Sequence, residues 1–213
     1  MSTPAISILL PVRNAAATLG ETLESLKAQT LSDFQLVLVD DHSSDATALV
    51  AREIFAGDPR LELIEPKEQG LVPALRAGTE ICRAPLIARM DGDDIALPER
   101  LELQHRAFAA HPELTIVGCG VQSFAEGELG EGYVHYDSWL NGLLTHEAMM
   151  RELYVESPLS HPTVMMRREA LEAVGGYRDN LWPEDYDLWL RIAHAGYQFG
   201  KVSDILLCWR DTP

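Results

Sequence analysis

Basic residues are scarce in this chain. Lys and Arg number 17 against 33 Asp and Glu, which gives a formal net charge of −16 and a pI near 4.7. That balance excludes an extended nucleic-acid-binding surface and adhesion to anionic membranes through a basic patch. An anionic ligand must then meet a local positive site, built from a metal or a few arginines. Cysteine is equally sparse. Cys82, Cys119 and Cys208 are far apart and odd in number, so no disulfide framework or zinc spacing is visible and a reducing cytoplasm is expected. No run approaches the ~18 apolar residues of a transmembrane helix. Met1-Ser2-Thr3-Pro4 leads straight into a short apolar strand, with no signal peptide expected. Phosphate-binding glycine loops are missing: no G-x-G-x-x-G follows the first strand and no Walker sequence occurs. Dehydrogenase and P-loop readings drop accordingly. The lack of a G-x-S-x-G elbow counts against an α/β-hydrolase. No internal repeat or low-complexity linker is seen.

What is present is an ordinary globular composition, 46% hydrophobic and 23% charged over 213 residues, enough for one domain with a real core. Ile6 to Val12 reads as a buried strand. Asn14 can cap a helix in which Leu19, Leu23 and Leu26 share a face. Gln35 to Val39 is a second strand ending in Asp40-Asp41, and Ser43, Ser44 and Asp45 offer caps for a helix over Ala46 to Phe55. Leu61 to Ile64 is a third strand, Val72 to Ile81 a helix, and Pro85 to Met90 a fourth strand. Pro98 suits the first turn of a helix to about Ala110. Strands alternating with helices imply a mostly parallel sheet flanked by helices, with ligands beyond the carboxyl ends of the strands. The second half is less regular. Leu114 to Val121 is a strand and Gly127 to Tyr136 an acidic, glycine-rich loop. His146 to Tyr154 reads as a helix, Pro162 to Met166 as a strand, and Arg168 to Val174 as a helix that Gly175-Gly176 stops. Glu184 to Ala195 is amphipathic, with Leu188, Ile192 and Ala195 on one side. Ile205 to Trp209 is a last strand, and the abrupt end after it suggests that the natural protein continues beyond Pro213.

The chemistry gathers at the strand exits. Met90-Asp91-Gly92-Asp93-Asp94 places three carboxylates within four residues. Alternate residues of an extended chain point the same way, so Asp91 and Asp93 project together. Two converging carboxylates are costly to ionise unless a cation joins them, and oxygen-only ligands suit Mg²⁺ or Mn²⁺. Taken alone, the stretch also fits a plain polar turn. Asp40-Asp41 can accept hydrogen bonds from a nucleobase or ribose, or can serve the next helix as an N-cap cluster. Glu184, Asp185 and Asp187 complement the dipole of a helix N-terminus, and Asp185 is also placed to act as a general base at the mouth of a cleft. His161 can ligate the metal, touch a diphosphate or simply make structural hydrogen bonds. Arg13 and Arg76 are the best cations to face phosphate or base, with surface solvation as their other reading.

Together these stretches resemble the family-2 glycosyltransferases of GT-A fold over nearly the whole chain. The opening strand through Pro11-Val12-Arg13-Asn14, Val39-Asp40-Asp41-His42-Ser43-Ser44-Asp45, Asp91-Gly92-Asp93-Asp94, Leu97-Pro98-Glu99-Arg100-Leu101, His161-Pro162-Thr163, Gly175-Gly176-Tyr177 and Glu184-Asp185-Tyr186-Asp187-Leu188-Trp189 carry the likeness. Their order and spacing are more specific than any one of them. The resemblance implies a GT-A, Rossmann-like sheet over residues 1–213, with a nucleotide-binding half at 1–110 and a smaller acceptor-binding half at 111–213. It implies an inverting transfer from a nucleoside-diphosphate sugar, a UDP-sugar first among them, to a saccharide or lipid-linked acceptor. Pro11, Val12 and Arg13 would line the base pocket and Asp41 would bond the base. Asp91 would contact ribose or metal, Asp93 would hold the Mn²⁺ or Mg²⁺ that bridges the diphosphate, and Asp185 would be the base. Acceptor choice is expected in loops such as Gly127 to Asn141. The implied place is cytoplasmic, with room for peripheral association at the inner face of the membrane. Two positions depart from the pattern: His42 stands where the family often has Gly, and Arg76 where it often has Asn.

Two other classes compete. A sugar-1-phosphate nucleotidyltransferase would show a Gly-rich, basic loop after the first strand, whereas residues 11–17 contain no Gly. An inert nucleotide- or carbohydrate-binding module would have no need of both Asp93 and Asp185.

Overall fold

Two-residue periodicity is missing from the early strands, and burial on both faces explains it. The computed structural model describes residues 3–211. The start at Met1-Ser2 and the end at Thr212-Pro213 lie outside them. β1 (Ile6–Val12), β2 (Phe34–Asp40) and β4 (Leu86–Arg89) are buried at every position, as parallel strands covered by helices on both sides must be. β3 (Leu61–Ile64) is half-buried at the sheet edge. Between them run α1 (Leu19–Lys27), α2 (Thr47–Ile54) and α3 (Leu71–Ile81). There follow β5 (Ile95–Ala96), α4 (Arg100–Ala110), β6 (Leu114–Phe124), α5 (Glu131–Gly142) and α6 (His146–Glu152). A 3₁₀ turn (His161–Thr163), β7 (Met165–Arg167), α7 (Arg168–Ala173), α8 (Glu184–His194) and β8 (Gln198–Arg210) complete the described chain.

One sheet runs through both halves in the order β3-β2-β1-β4-β7-β6-β8-β5. β1 pairs in parallel with β2 from Ile6↔Phe34 to Val12↔Asp40, and with β4 from Ile6↔Leu86 to Leu9↔Arg89. The chain thus winds one way from β1 to β2 and the other way to reach β4. A crevice opens at such a reversal. β7 runs antiparallel to both β4 and β6 and joins the two halves. Alternation along the strands splits the core between the two faces. Ile8, Leu10, Leu36 and Leu38 pack with Leu19, Leu23 and Leu26 of α1. Leu9, Val37 and Val39 pack with Leu75 of α3, and Leu188, Trp189 and Ile192 of α8 lie in the same cluster. Ala195, expected on that stripe, follows the helix end and is exposed.

Three expectations change. Asn14 does not cap α1; it takes a left-handed conformation (φ 50), and Thr18 is the N-cap residue. The segment read as a loop up to Tyr136 becomes helical from Glu131. α5 docks by polar pairs, which hid it from hydrophobic periodicity. Asp137 accepts from the Ser123 N–H (2.6 Å) and hydroxyl (2.8 Å) of β6, and the Asn141 amide bonds both the N–H and C=O of Val121. The strand expected at Pro162 to Met166 opens instead as a 3₁₀ turn, where Pro162 supplies no N–H, and only Met165–Arg167 pairs.

Gly78 lets α3 lie flat on the sheet. A Cβ there would stand 2.3 Å from Leu9 Cδ1 and 2.8 Å from Val39 Cγ2, both in buried residues. Gly78→Val should therefore lower stability by about 1–3 kcal/mol through overpacking, measured as a lower urea midpoint.

Lys201 of β8 donates to the carbonyls of Leu140 and Pro158. Burial pushes its pKa down to about 8 from 10.5. Below pH 8 the folded state bears the whole cost of the buried charge. Above it the folded lysine loses its proton while the unfolded one keeps it, so stability rises between pH 8 and 10.5. The stability of the wild type relative to Lys201→Met should climb over that window by up to about 3 kcal/mol, read from urea titrations at each pH. A flat difference contradicts this.

Candidate active site

Two adjoining clefts open at the carboxyl edge of the sheet. The smaller, about 260 Å³, is lined by Pro11, Val12, Arg13, Asp41, Gly70, Leu71 and Ala74. The larger, about 520 Å³, is walled by Arg89, Asp91, His161, Glu184 and Asp185 among others, and Leu71 belongs to both. The fold therefore brings together Pro11, Val12, Arg13 and Asp41 in one space, and Asp91, His161 and Asp185 in the next.

Asp41 is fixed by its backbone and by α3. Its N–H donates to Val12 O (2.8 Å), and its Oδ1 accepts from Gly70 N–H (2.9 Å). Gly70 has φ 129 and precedes α3, a conformation that favours glycine. Arg13 lies exposed at the rim, where its Nη1 is 3.0 Å from the Gln69 side-chain oxygen once the amide is oriented by its partners. The residues expected to cap α2 work across space instead. Ser43 Oγ accepts from Asn14 N–H, Ser44 N–H donates to Asn14 Oδ1, and Asp45 Oδ2 accepts from Ala16 N–H. Asp45 Oδ1 also takes the N–H and hydroxyl of Thr47. These bonds clamp the loop after β1 to the loop after β2. His42 sits in the same loop at φ 53, a left-handed conformation that favours glycine.

The acidic loop after β4 is held from both sides. Gly92 lies against Val12, whose Cγ1 would stand 2.7 Å from an added Cβ. Thr18 and Thr22 of the α1 side donate to Gly92 O and Asp94 O. Arg210, at the end of β8, donates through Nε to Asp93 O and through its backbone N–H to Asp94 Oδ1, both at 2.8 Å, and pairs with Glu21. Asp91 forms a close ion pair with buried Arg89. Asp94 is fully buried. Burial first, then the charges of Asp91 and Asp93, push its pKa up to about 8. The loop thus gathers more negative charge than Arg89 offsets.

His161 is buried between Tyr177, Trp189 and Glu184. Its Nε2 meets the Tyr177 hydroxyl at 3.0 Å and its Nδ1 faces Glu184 Oε1 at 3.3 Å. Burial, then Arg89, lowers its pKa, while His161 beside it lowers that of Glu184. The Tyr177 hydroxyl is the hydrogen-bond partner of Nε2, while Nδ1 lies within ion-pair distance of Glu184 without a hydrogen bond of good geometry. Among the described residues no three His, Cys, Asp or Glu side chains form a metal-binding cluster, so Asp91, Asp93 and His161 are not brought together as a ready three-ligand set. Asp185 stands in the first turn of α8, where its Oδ1 accepts from Tyr186 N–H at 2.7 Å. Asp187 instead pairs with Arg191 at 2.8 Å, a structural role. Arg76 is not brought to either cleft. Its Nε donates to Tyr177 O (2.8 Å), and it lines a separate surface with Glu65, Lys67 and Glu80.

Sequence reasoning missed Arg89 and Arg210. A signal existed for Arg89: it is the one cation in an apolar strand, two residues before Asp91 and so on its side of the chain. Arg210 gave no local signal, because its partners lie 116 and 117 residues away.

An α/β sheet with two adjoining clefts at its carboxyl edge, an acidic loop at a strand exit and Asp185 in the lining of the larger cleft is the frame of the site. A family model described as glycosyl transferase family 2 matches residues 7–175, and this chain belongs to that family. It is 34% identical over 205 residues to the amylovoran biosynthesis glycosyltransferase AmsE of Erwinia amylovora, covering 94% of this chain and 74% of that protein. It is 31% identical over 210 residues to the putative glycosyltransferase EpsE of Bacillus subtilis (strain 168), covering 96% and 72%. The crystal structure of S. aureus TarS 1–349 in complex with UDP-GlcNAc superposes with a TM-score of 0.77 at 17% identity, over 98% of this chain and 59% of that one. The mannosyltransferase PcManGT of Pyrobaculum calidifontis, in complex with GDP-Man and Mn²⁺, gives 0.73 at 20% identity, over 98% and 57%. The chain spans about three fifths of those two solved chains, and the shared fold is the GT-A, Rossmann-like sheet.

Arg210→Met should remove the guanidinium bonds to Asp93 O and Glu21, leave the backbone bond to Asp94, and lower stability by about 1–3 kcal/mol, since the lost bonds involve a charged donor. Urea unfolding measures the loss, and faster amide exchange at residues 92–94 shows where it falls.

Proposed function

We propose that this chain transfers a sugar from a nucleoside-diphosphate sugar to a hydroxyl acceptor, with inversion at the anomeric carbon. The carrying observation is the adjacency of the Asp41 pocket to the cleft that holds Asp91 and Asp185, with Leu71 shared between them. A base seated on Pro11 and Val12 would bond Asp41. Its diphosphate would then reach the acidic loop, and the sugar would lie in the larger cleft. Asp185 would take the proton of the acceptor hydroxyl as that oxygen bonds to the anomeric carbon. The bond to the diphosphate oxygen breaks in the same displacement, and the nucleoside diphosphate leaves.

A divalent cation fits the acidic loop. The donors are oxygens, as Mg²⁺ or Mn²⁺ prefer, and Asp91 and Asp93 stand on one short loop pinned by Thr18, Thr22 and Arg210. Asp93 and Asp91 would hold it, and bound there it would supply charge stabilisation for the departing diphosphate. Arg89 would hold Asp91 in place, with His161 close beside them. UDP is the first donor nucleotide to test and GDP the second, since two structural neighbours of this fold bind UDP-GlcNAc and GDP-Man. The relatives' roles in amylovoran and related polymers support a saccharide or lipid-linked acceptor in polysaccharide biosynthesis. Among the described residues no helix is long and apolar enough to cross a membrane. The proposed setting is the cytoplasm, with peripheral contact to the inner membrane face where a lipid-linked acceptor is used.

Calorimetry with nucleoside diphosphates and their sugars, with and without Mn²⁺, tests the donor half. Binding of none of them contradicts it. Asp93→Ala should weaken Mn²⁺-dependent nucleotide affinity at least about tenfold; unchanged affinity sinks the metal assignment. Asp185→Asn should abolish transfer while nucleotide affinity stays within about twofold. A variant that still transfers at the wild-type rate removes Asp185 from the role of base.

A further inference from the structure

Beside the larger cleft lies a hollow of about 250 Å³ walled by Gly132, Tyr133, Tyr136 and Trp209, with no charged side chain among them. Tyr136 and Trp209 line both spaces. The hollow therefore adjoins the cleft that holds Asp91 and Asp185. Its rings form a built platform. The Tyr136 and Trp209 centroids are 6.4 Å apart at 49°, and Trp139 backs Tyr136 at 5.5 Å. Tyr133 is 40% exposed, yet its hydroxyl is tied to Asp211 Oδ1 at 2.7 Å, which fixes the ring. At Gly132 an added Cβ would meet nothing within 4 Å, so the hollow stays open on that side. The Tyr136 phenol has a raised pKa, from burial first and then from Glu156 and Asp185, so the platform sits within electrostatic reach of the candidate base.

We propose that this aromatic hollow is a saccharide subsite that seats one sugar ring of the acceptor and leads its hydroxyl to Asp185; this rests on the transfer reading above. The apolar C–H face of a pyranose stacks on aromatic rings, which provide large, rigid contact with a polar handle. Its hydroxyls would turn to the polar wall of the adjoining cleft, where Glu156, Ser157, Ser160 and Asp185 stand. A nucleobase is accounted for elsewhere, at Asp41. A long hydrocarbon chain does not suit a shallow hollow of this size beside a polar cleft.

The test uses the whole chain on an array of immobilised bacterial and mammalian glycans, in the presence of Mn²⁺ and a nucleoside diphosphate that binds in calorimetry. The wild type should retain a subset of glycans. Tyr133→Ala should cut retention of those glycans by about fivefold, and Trp209→Leu should do so at least as strongly. Gly132→Leu keeps the fold, because its side chain starts in open space, and should also reduce retention by filling the hollow. Nucleotide affinity of Tyr133→Ala and Gly132→Leu should stay within about twofold, since neither touches the nucleotide pocket. If the nucleotide-loaded wild type retains no glycan, or if the variants retain as much as it does, the subsite is overturned and the donor assignment stands. A chain that binds no nucleoside diphosphate fails at the transfer reading, and the subsite falls with it.

Discussion

Carboxylates crowd the end of β4, and their mutual repulsion governs how the neighbouring elements are arranged. Asp91, Asp93 and Asp94 share one tight loop, and Arg89, Arg100 and Arg210 stand near them as counter-charges. Like charges in a half-buried turn would splay it unless other elements pin it. Here the pins come from far along the chain. Thr18 and Thr22 hold two carbonyls from the α1 side, and Arg210 holds the loop from the end of β8. The site is therefore pre-organised by the meeting of the first and last described elements.

The same logic appears on the nucleotide side. Asp41 is placed by one backbone bond to β1 and one to the start of α3. The loop behind it is held by Asn14, Ser43, Ser44 and Asp45, which bond one another across two strand–helix connections. A binding loop that must not sag needs its polar groups satisfied within the protein, and this network does that without a glycine-rich phosphate loop. The transfer reading gains from this rigidity, since displacement depends on holding donor and acceptor hydroxyl in line.

The second half follows a different rule. Antiparallel β7 joins the two halves of the sheet, and α5 is fastened to β6 by Asp137 and Asn141 as well as by Leu140 in the core. Tyr136 and Trp209 pack against that core and also line the cleft.

The sequence by itself determined the parallel half of the fold: continuous apolar strands, amphipathic α1 and α3, and acids at strand exits are local patterns that burial enforces. It also marked Asp41, Asp91, Asp93 and Asp185 as candidate site residues, because each sits in a short acidic motif at a strand exit or helix start. Tertiary structure alone decided what those patterns could not encode. Asn14 looks like a helix cap in one dimension, yet its bonds cross to the next loop, and Asp45 bonds both the start of α2 and Ala16 across the gap. Arg76 looks like a ligand-facing cation, yet it holds the Tyr177 carbonyl. α5 was hidden because buried hydrogen bonds as well as apolar contacts secure it. His161 reads in one dimension as a metal ligand or a structural residue, and only the fold brings its Nε2 to the Tyr177 hydroxyl and its Nδ1 near Glu184. In each case the deciding partner lies far away in sequence, and a side chain's role is set by the nearest group that can satisfy it.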